Sequence, residues 1–274
     1  MKLCTIKTFF LDLIFPRFCL GCQKELRLKE TSFICGSCLN NIVLNGVRCH
    51  ICGLRNERGT CRYCLKKKKT NLSGLFAAGK YQDPVLREAI HQFKYQSVES
   101  LKKPLAELAV KYLKKENLME KFRCPTSNIS DVGHRSCLVP IPLTWPRKLK
   151  RGFNQSELLA QEISKYLQPK AGPPGAENLP VINLLKRKKF TAPQARIADW
   201  QTRKKNISGA FTLSPSYPPA CAEASAGRQN YRFSESIVVL VDDVATSGAT
   251  LEEAARVLKE AGVKEVYGLV IAKG

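Results

Sequence analysis

The chain has 274 residues, with 45 Lys+Arg against 23 Asp+Glu, a formal net charge of +22 and 44% hydrophobic residues. That apolar fraction can support a core in spite of the charge, which excludes disorder throughout. At about 100 to 200 residues per domain, the length fits one medium domain plus a small module and would crowd two large ones.

The first 16 residues carry Ile6, Phe9, Phe10, Leu13 and Ile14 at helical spacing and end at Pro16, the pattern of a short amphipathic helix packed on its own protein. The apolar stretch from Phe9 to Phe15 is short, contains Asp12 and lacks a small-residue cleavage site, so it does not read as an export signal. No uninterrupted apolar run is long enough to span a bilayer. The expectation is a soluble cytoplasmic protein with no integral membrane segment, its thiols held by metal rather than by disulfides.

Eight of the 12 cysteines form four CxxC pairs before residue 65: Cys19/Cys22, Cys35/Cys38, Cys49/Cys52 and Cys61/Cys64. A CxxC turn offers two thiolates from one bend, and zinc takes four such ligands in a tetrahedron. Two four-cysteine Zn²⁺ sites are therefore expected, with sequential quartets favoured and alternation of pairs using the same residues. Closed sites of this kind hold structure and leave no position open for catalysis. His50 adjoins Cys49 and competes as a ligand, but two full quartets leave it no vacancy. Cys124, His134 and Cys137 lack a fourth partner, and Cys4 and Cys221 read as unliganded. The module shows no apolar core of its own, so metal is expected to supply its cohesion.

Beyond a polar joint at Lys66 to Ser73, strands are expected at Leu75 to Ala78 and Leu138 to Ile141, and helices at Pro84 to Tyr95, Lys103 to Lys115 and Gln155 to Leu167. Cys124 to Arg135 and the Pro/Gly-rich stretch Lys170 to Pro180 read as loops. A last strand–loop–helix–strand unit, Ile237 to Val241, Leu251 to Ala261 and Val266 to Ile271, predicts parallel strands with a covering helix. Basicity is concentrated in 1–75 and 138–212, each with a net charge of +10, whereas 213–274 carries −2. Such runs suit a phosphate backbone, and equally a solvated face. The candidate partner is nucleic acid.

The most informative segment is VVLVDDVATSGAT, Val238 to Thr250. A buried strand delivers Asp242 and Asp243 to the edge of a parallel sheet where ligands bind. Val244, Ala245, Thr246, Ser247, Gly248, Ala249 and Thr250 then lead through a hydroxyl-rich turn into a helix N-terminus, suited to a monophosphate. The two carboxylates suit ribose hydroxyls or a bound Mg²⁺. The Gly-Lys-Ser/Thr ending of a Walker A loop is missing. Arg147, Lys148, Lys150 and Arg151, near a predicted strand end, suit polyphosphate.

This loop resembles that of the type I phosphoribosyltransferases, which bind phosphoribosyl pyrophosphate (PRPP). Together with the CxxC module, LVPIPLTWPRKLKRGFNQ (Leu138 to Gln155) and RKKFTAPQARIADWQTRKKNISGAF (Arg187 to Phe211), it is similar to the ComF competence family over nearly the whole chain. The resemblance implies an α/β fold: a parallel-sheet phosphoribosyltransferase-like core at 71–274 behind an N-terminal cysteine-rich zinc-ribbon module at 1–70. It implies that Arg151, Asn154 and Gln155 line the pocket and that a hood at about 181–211, with Gln194, Arg203 and Asn206, covers it. Tyr81, Lys94 and Tyr95 are marked as neighbours of the crevice, and 213–233 reads as an insertion. The functions implied are uptake or processing of single-stranded DNA with a PRPP pocket, turnover of PRPP with Mg²⁺ and pyrophosphate release, or a non-catalytic zinc-containing adaptor. For turnover, Asp242, Asp243 and Arg151 are the catalytic candidates; no general base is evident, and His91 and His134 lie outside the recognised loop. Implied partners are single-stranded DNA and a DNA-uptake helicase or recombination proteins, with peripheral association to that machinery.

Overall fold

The computed structural model describes residues 16–26, 32–67, 70–122, 136–167, 179–189, 200–215 and 236–274, without the side chains of residues 120, 200, 201, 203 and 204. The N-terminal helix expected before Pro16, the loop expected at 124–135, most of the one expected at 170–180, Gln194 and most of 213–233 lie outside the described residues, as do Cys4, Cys124, His134 and Cys221.

In chain order the elements are α1 (Gly36–Asn41), α2 (Arg62–Lys66), β1 (Gly74–Lys80), α3 (Pro84–Tyr95), α4 (Lys102–Lys115), β2 (Cys137–Pro140), α5 (Trp145–Arg151), α6 (Gln155–Tyr166), β3 (Leu185–Arg187), α7 (Trp200–Ile207), β4 (Phe211–Leu213), β5 (Ile237–Ala245), α8 (Ala249–Glu260) and β6 (Glu265–Lys273). The long helices start where their free N–H groups find acceptors. Asp83 accepts from Leu86 N at 2.9 Å ahead of α3, and Asn154 accepts from Ser156 N at 3.2 Å ahead of α6.

Strands β1, β6, β5 and β2 lie side by side in that order, all parallel. A parallel sheet covered on both faces needs apolar residues at every position, and Ile237 to Val241 meets this demand with five buried side chains. Val239 and Val241 join the core formed with α3, α4 and α6, while Val238 and Leu240 join the core under α8. The second layer also includes Leu185, Ile207, Ala210 and Phe211 from β3, α7 and β4.

Two expectations change. The cysteine module is not held by metal alone, because Ile34, Leu39, Ile42 and Val47 are buried in the same core as Phe76, Ala78 and Phe93. It sits on the outer edge of β1: Leu44 pairs antiparallel with Gly79, and Asn45 Nδ2 donates to Ala77 O at 3.2 Å and Gly79 O at 2.7 Å. The strand before α8 is also longer than the apolar run, since β5 carries both aspartates in pairing with β6 and α8 starts at Ala249. Asp242 still pairs with Val270, because a strand end tolerates charge once its side chains have partners.

Candidate functional site

Parallel sheets bind ligands beyond the carboxyl ends of their strands. There β5 presents two adjacent carboxylates with separate partners. Asp243 is buried and pairs with Lys94 Nζ at 2.9 Å, delivered by the last turn of α3. Asp242 accepts from Ser156 Oγ and from Asp243 N, each at 2.9 Å. Desolvation, reinforced by the charge of Asp243, pushes the Asp242 carboxyl up to about 6, although Lys94 and Ser156 act in the opposite direction. Burial alone would lower the Lys94 ammonium, but Asp243 and Asp242 outweigh it and the net direction is upward. Lys94 is thus a fixed cation at the floor of the site.

Past the carboxylates the chain turns at Gly248, whose φ of 74° is the left-handed conformation that glycine adopts without strain. Ser247 Oγ accepts from Ala249 N at 3.4 Å, and Gly248 O accepts from Glu252 N at 2.9 Å to open α8. The turn and the helix N-terminus together direct partial positive charge beside Asp242 and Asp243. Thr246, Ser247 and Thr250 are half-buried there.

Cations approach from two further elements. Arg147 on α5 and Arg187 on β3 are both depressed, first by desolvation and then by a neighbouring guanidinium, Arg151 acting on Arg147 and Arg147 on Arg187, which falls to about 10. Asp242 acts on Arg187 in the opposite direction, so the two arginines and the aspartate share one electrostatic neighbourhood. Arg187 also lies over the Phe211 ring at 5.3 Å. Carboxylates and guanidinium groups brought to one sheet edge can hold a sugar hydroxyl and a polyphosphate together.

The sulfur atoms form two groups, Cys19/Cys22/Cys35/Cys38 and Cys49/Cys52/Cys61/Cys64, with all ligand atoms in each within 4.8 Å of one another. Sequential quartets are therefore the pairing. The Cys22–Cys35 and Cys52–Cys61 Sγ separations are 3.8 and 3.6 Å, against roughly 3.8 Å for the edge of a tetrahedron with Zn–S bonds near 2.3 Å. Burial would raise the Cys19 and Cys49 thiols, yet N–H donors from the knuckle backbone bring both down to about 6, towards the thiolate that metal requires. Both quartets fit zinc. His50 belongs to neither; its ring nitrogens face Gly59 O, Thr60 Oγ1 and Thr70 Oγ1 at 3.3, 3.0 and 3.2 Å.

The double zinc ribbon domain family matches residues 10–67, and the phosphoribosyl transferase domain family matches residues 199–273. Competence protein F of Haemophilus influenzae is 28% identical over 259 residues, covering 93% of this chain and 96% of that protein. DNA utilization protein YhgH of Escherichia coli K12 is 27% identical, with 92% and 94% covered. Competence protein ComFC of Bacillus subtilis is 25% identical, with 86% and 81% covered. Both architectural halves and the end-to-end alignments agree. The chain is similar to these competence proteins over nearly its whole length.

In this chain the residues expected at the pocket divide into two kinds. Asp242, Asp243 and Val244 to Thr250 lie at the carboxyl end of β5, and of the basic residues on α5 Arg147 shares their electrostatic neighbourhood through Arg187. Asn154 and Gln155 are buried and bonded to the scaffold: Asn154 Nδ2 donates to Ile141 O at 3.1 Å and Gln155 Nε2 to Phe93 O at 3.4 Å. Their side chains fix the start of α6, which brings Ser156 to Asp242. Arg151 Nη1 donates to Gln155 Oε1 at 3.0 Å and its guanidinium lies 5.4 Å from the Tyr95 ring centre. Asn206 is half-buried on α7, Arg203 is placed there by its backbone alone, and Gln194 is outside the described residues. Ser156 and Arg187 carry roles that sequence reasoning did not assign; a serine in a first helical turn reads as a cap, and Arg187 sits inside a run of cations. Among the described residues no helix is long and apolar enough to cross a membrane.

Proposed function

We propose that this chain binds a phosphoribosyl or nucleotide phosphate, PRPP being the first candidate, and handles incoming single-stranded DNA in the cytoplasm, in contact with a DNA-uptake helicase or recombination proteins. The supporting observation is the meeting of the Asp242/Asp243 pair, the Gly248 turn and the Arg147/Arg187 cations at one sheet edge. In this reading residues 246–250 take the 5-phosphate, the aspartates take the ribose hydroxyls and the arginines take pyrophosphate. Lys94 already neutralises Asp243, so Mg²⁺ would be held mainly by the pyrophosphate, with Asp242 as its oxygen ligand from the protein. A division at 70/71, the hood over the crevice and the insertion at 213–233 belong to the same reading. The names of the Haemophilus, Bacillus and Escherichia relatives, for competence and DNA utilization, support the DNA role.

Ribose recognition by ionised Asp242 carries a pH signature. The free site holds this carboxyl near 6, so PRPP affinity is expected to fall as pH drops from 7.5 through about 6, and not near 4 where exposed aspartates titrate. The sign for stability is the reverse. A folded-state value above the unfolded one means that the site's stabilising contribution is full at low pH and declines as pH rises through about 4 to 6. Calorimetric titration between pH 5 and 8 with MgCl₂ present measures the first effect; affinity flat down to pH 5 would remove Asp242 from the ligand.

The DNA role is supported by the outer face of α5, where Trp145 and Leu149 are 73% and 62% exposed beside exposed Lys148 and Lys150. Tyr95, 60% exposed and under Arg151, extends the same side of the molecule. Interleaved rings and cations are what a single strand needs, because bases stack without sequence preference while phosphates are neutralised. Trp145→Ala is expected to weaken oligonucleotide binding about 5- to 150-fold, and wild-type affinity to fall steeply with salt. Fluorescence anisotropy checks both, and binding that ignores salt would count against the role. Turnover is a second reading, favoured by Asp242: a carboxyl near 6 can accept a proton close to neutrality. Pyrophosphate release with base, nucleotide and DNA acceptors separates turnover from binding alone.

A further inference from the structure

Hydrogen bonds connect His50 and Thr60, the chain neighbours of Cys49 and Cys61, to the first turn of α8. The last link is Glu252, in that turn, whose backbone N–H donates to Gly248 O at 2.9 Å. A glutamate so placed would ordinarily cap its own helix or face water. Here both of its oxygens reach across to the joint between ribbon and sheet. Oε2 accepts from Thr70 Oγ1 at 2.7 Å, and Oε1 accepts from Asn71 N at 2.5 Å and from Asn71 Nδ2 at 2.9 Å.

The direction of each bond follows from the acceptor-only carboxylate. The Thr70 hydroxyl proton goes to Glu252, so the Thr70 oxygen receives Leu72 N at 3.0 Å and, at 3.2 Å, the Nε2–H of His50. On the other side of the ring, Nδ1 lies 3.0 Å from the buried Thr60 hydroxyl and 3.3 Å from Gly59 O. His50 directly follows Cys49, and Thr60 directly precedes Cys61, so both ends of the imidazole are referred to ligands of one quartet. Among the described residues the first quartet has no such neighbour in the chain of bonds. A further contact presses the same ribbon on the sheet: a side chain at Gly59 would meet Leu75 N at 2.8 Å.

We propose that the second quartet is a positioning element for the phosphate turn, acting through His50, Thr70 and Glu252, so that metal held there and phosphate held at residues 246–250 reinforce one another. The inference rests on the reading of that turn as a phosphate site. Thr70 and Glu252 are positioning residues; neither is asked to touch the ligand. Coupling between two binding sites is reciprocal by necessity, which a merely structural contact would not reproduce.

The test uses full-length, zinc-loaded protein and the variants Thr70→Val, Thr70→Ser and Glu252→Gln. Without any ligand, hydrogen exchange of the amides from Gly248 to Glu253 is expected to quicken about tenfold in Thr70→Val and Glu252→Gln, with Thr70→Ser close to wild type and β2 unchanged in all. Zinc transfer to a chromogenic chelator is expected to show one of two ions leaving about tenfold faster in Thr70→Val. Saturating PRPP is expected to slow that ion in wild type and not in Thr70→Val, while the other ion is indifferent. Unchanged exchange in both Thr70→Val and Glu252→Gln, or acceleration of both ions alike, overturns the proposal. Should wild type bind no PRPP while exchange and zinc release still respond to Thr70→Val, the ligand reading falls and the positioning role stands.

Discussion

Replacing Asp243 by alanine is expected to cost about 3 kcal/mol of folding stability as well as ligand binding. The reason is Lys94, which sits 2.9 Å from Asp243 with side chains only 19% and 7% exposed. Removing one member of such a pair strands the other, and breaking a buried pair costs more than the pair contributes. The net upward direction at Lys94 means that it stays charged. Loss of binding by Asp243→Ala is therefore ambiguous, and Asp243→Asn is the cleaner variant because it keeps shape and an acceptor for the ammonium. It is expected to retain most of the stability and to weaken PRPP about 10- to 150-fold, the range for one charged hydrogen bond. Lys94→Met works in the opposite sense: Asp242 and Asp243 then repel without a counter-charge, so the variant should be weaker at pH 8 than at pH 5. Urea unfolding at the two pH values, with calorimetry for the ligand, measures all three. Equal stability of Asp243→Ala and wild type would mean that Lys94 escapes to water.

Stripping zinc is expected to have the largest effect of all. A strong chelator should remove two ions per chain, and Cys22→Ser and Cys52→Ser one each, by elemental analysis. Apparent binding free energies of about 10 to 16 kcal/mol for a structural zinc compare with about 5 to 15 kcal/mol for a whole domain. The ribbons would not melt alone. Ile34, Leu39, Ile42 and Val47 are buried against Phe76 and Ala78, and each loses about 1.5 to 3 kcal/mol of burial when its ribbon unfolds. Scanning calorimetry should therefore show the sheet domain's transition at lower temperature once metal is gone. An unmoved transition would mean that the module is an independent appendage.

The parts of this fold that sequence reveals are those with a period or a fixed spacing. Ile237 to Val241 announces a two-sided buried strand, and Pro84 to Tyr95 matches α3 at both ends because Asp83 and the apolar stripe fix them. The cysteine spacing points to two quartets but leaves alternation of pairs open, and the sulfur positions make the pairing sequential. Lys94 was marked by resemblance, but its pairing with Asp243 joins residues about 150 positions apart, which no local pattern encodes. The docking of the ribbons escaped notice because its apolar residues are few and scattered among cysteines and turns. Strands β3 and β4 have three residues each, too few to establish alternation, and α5 is amphipathic in charge and exposure rather than in apolar content. Asn154 and Gln155 show the converse: residues implied to be ligand contacts hold the scaffold that brings Ser156 to the carboxylates.

The pairing of Leu44 with Gly79, backed by Asn45 on Ala77 and Gly79, closes an otherwise open flank of the sheet. Peeling the ribbon away would uncover a row of unpaired peptide groups along β1, a template to which a strand of another molecule can add. Cellular metal supply would then govern more than the shape of the amino-terminal module. A chain made under zinc starvation would be prone to self-association, and the two ions would serve as guardians of solubility.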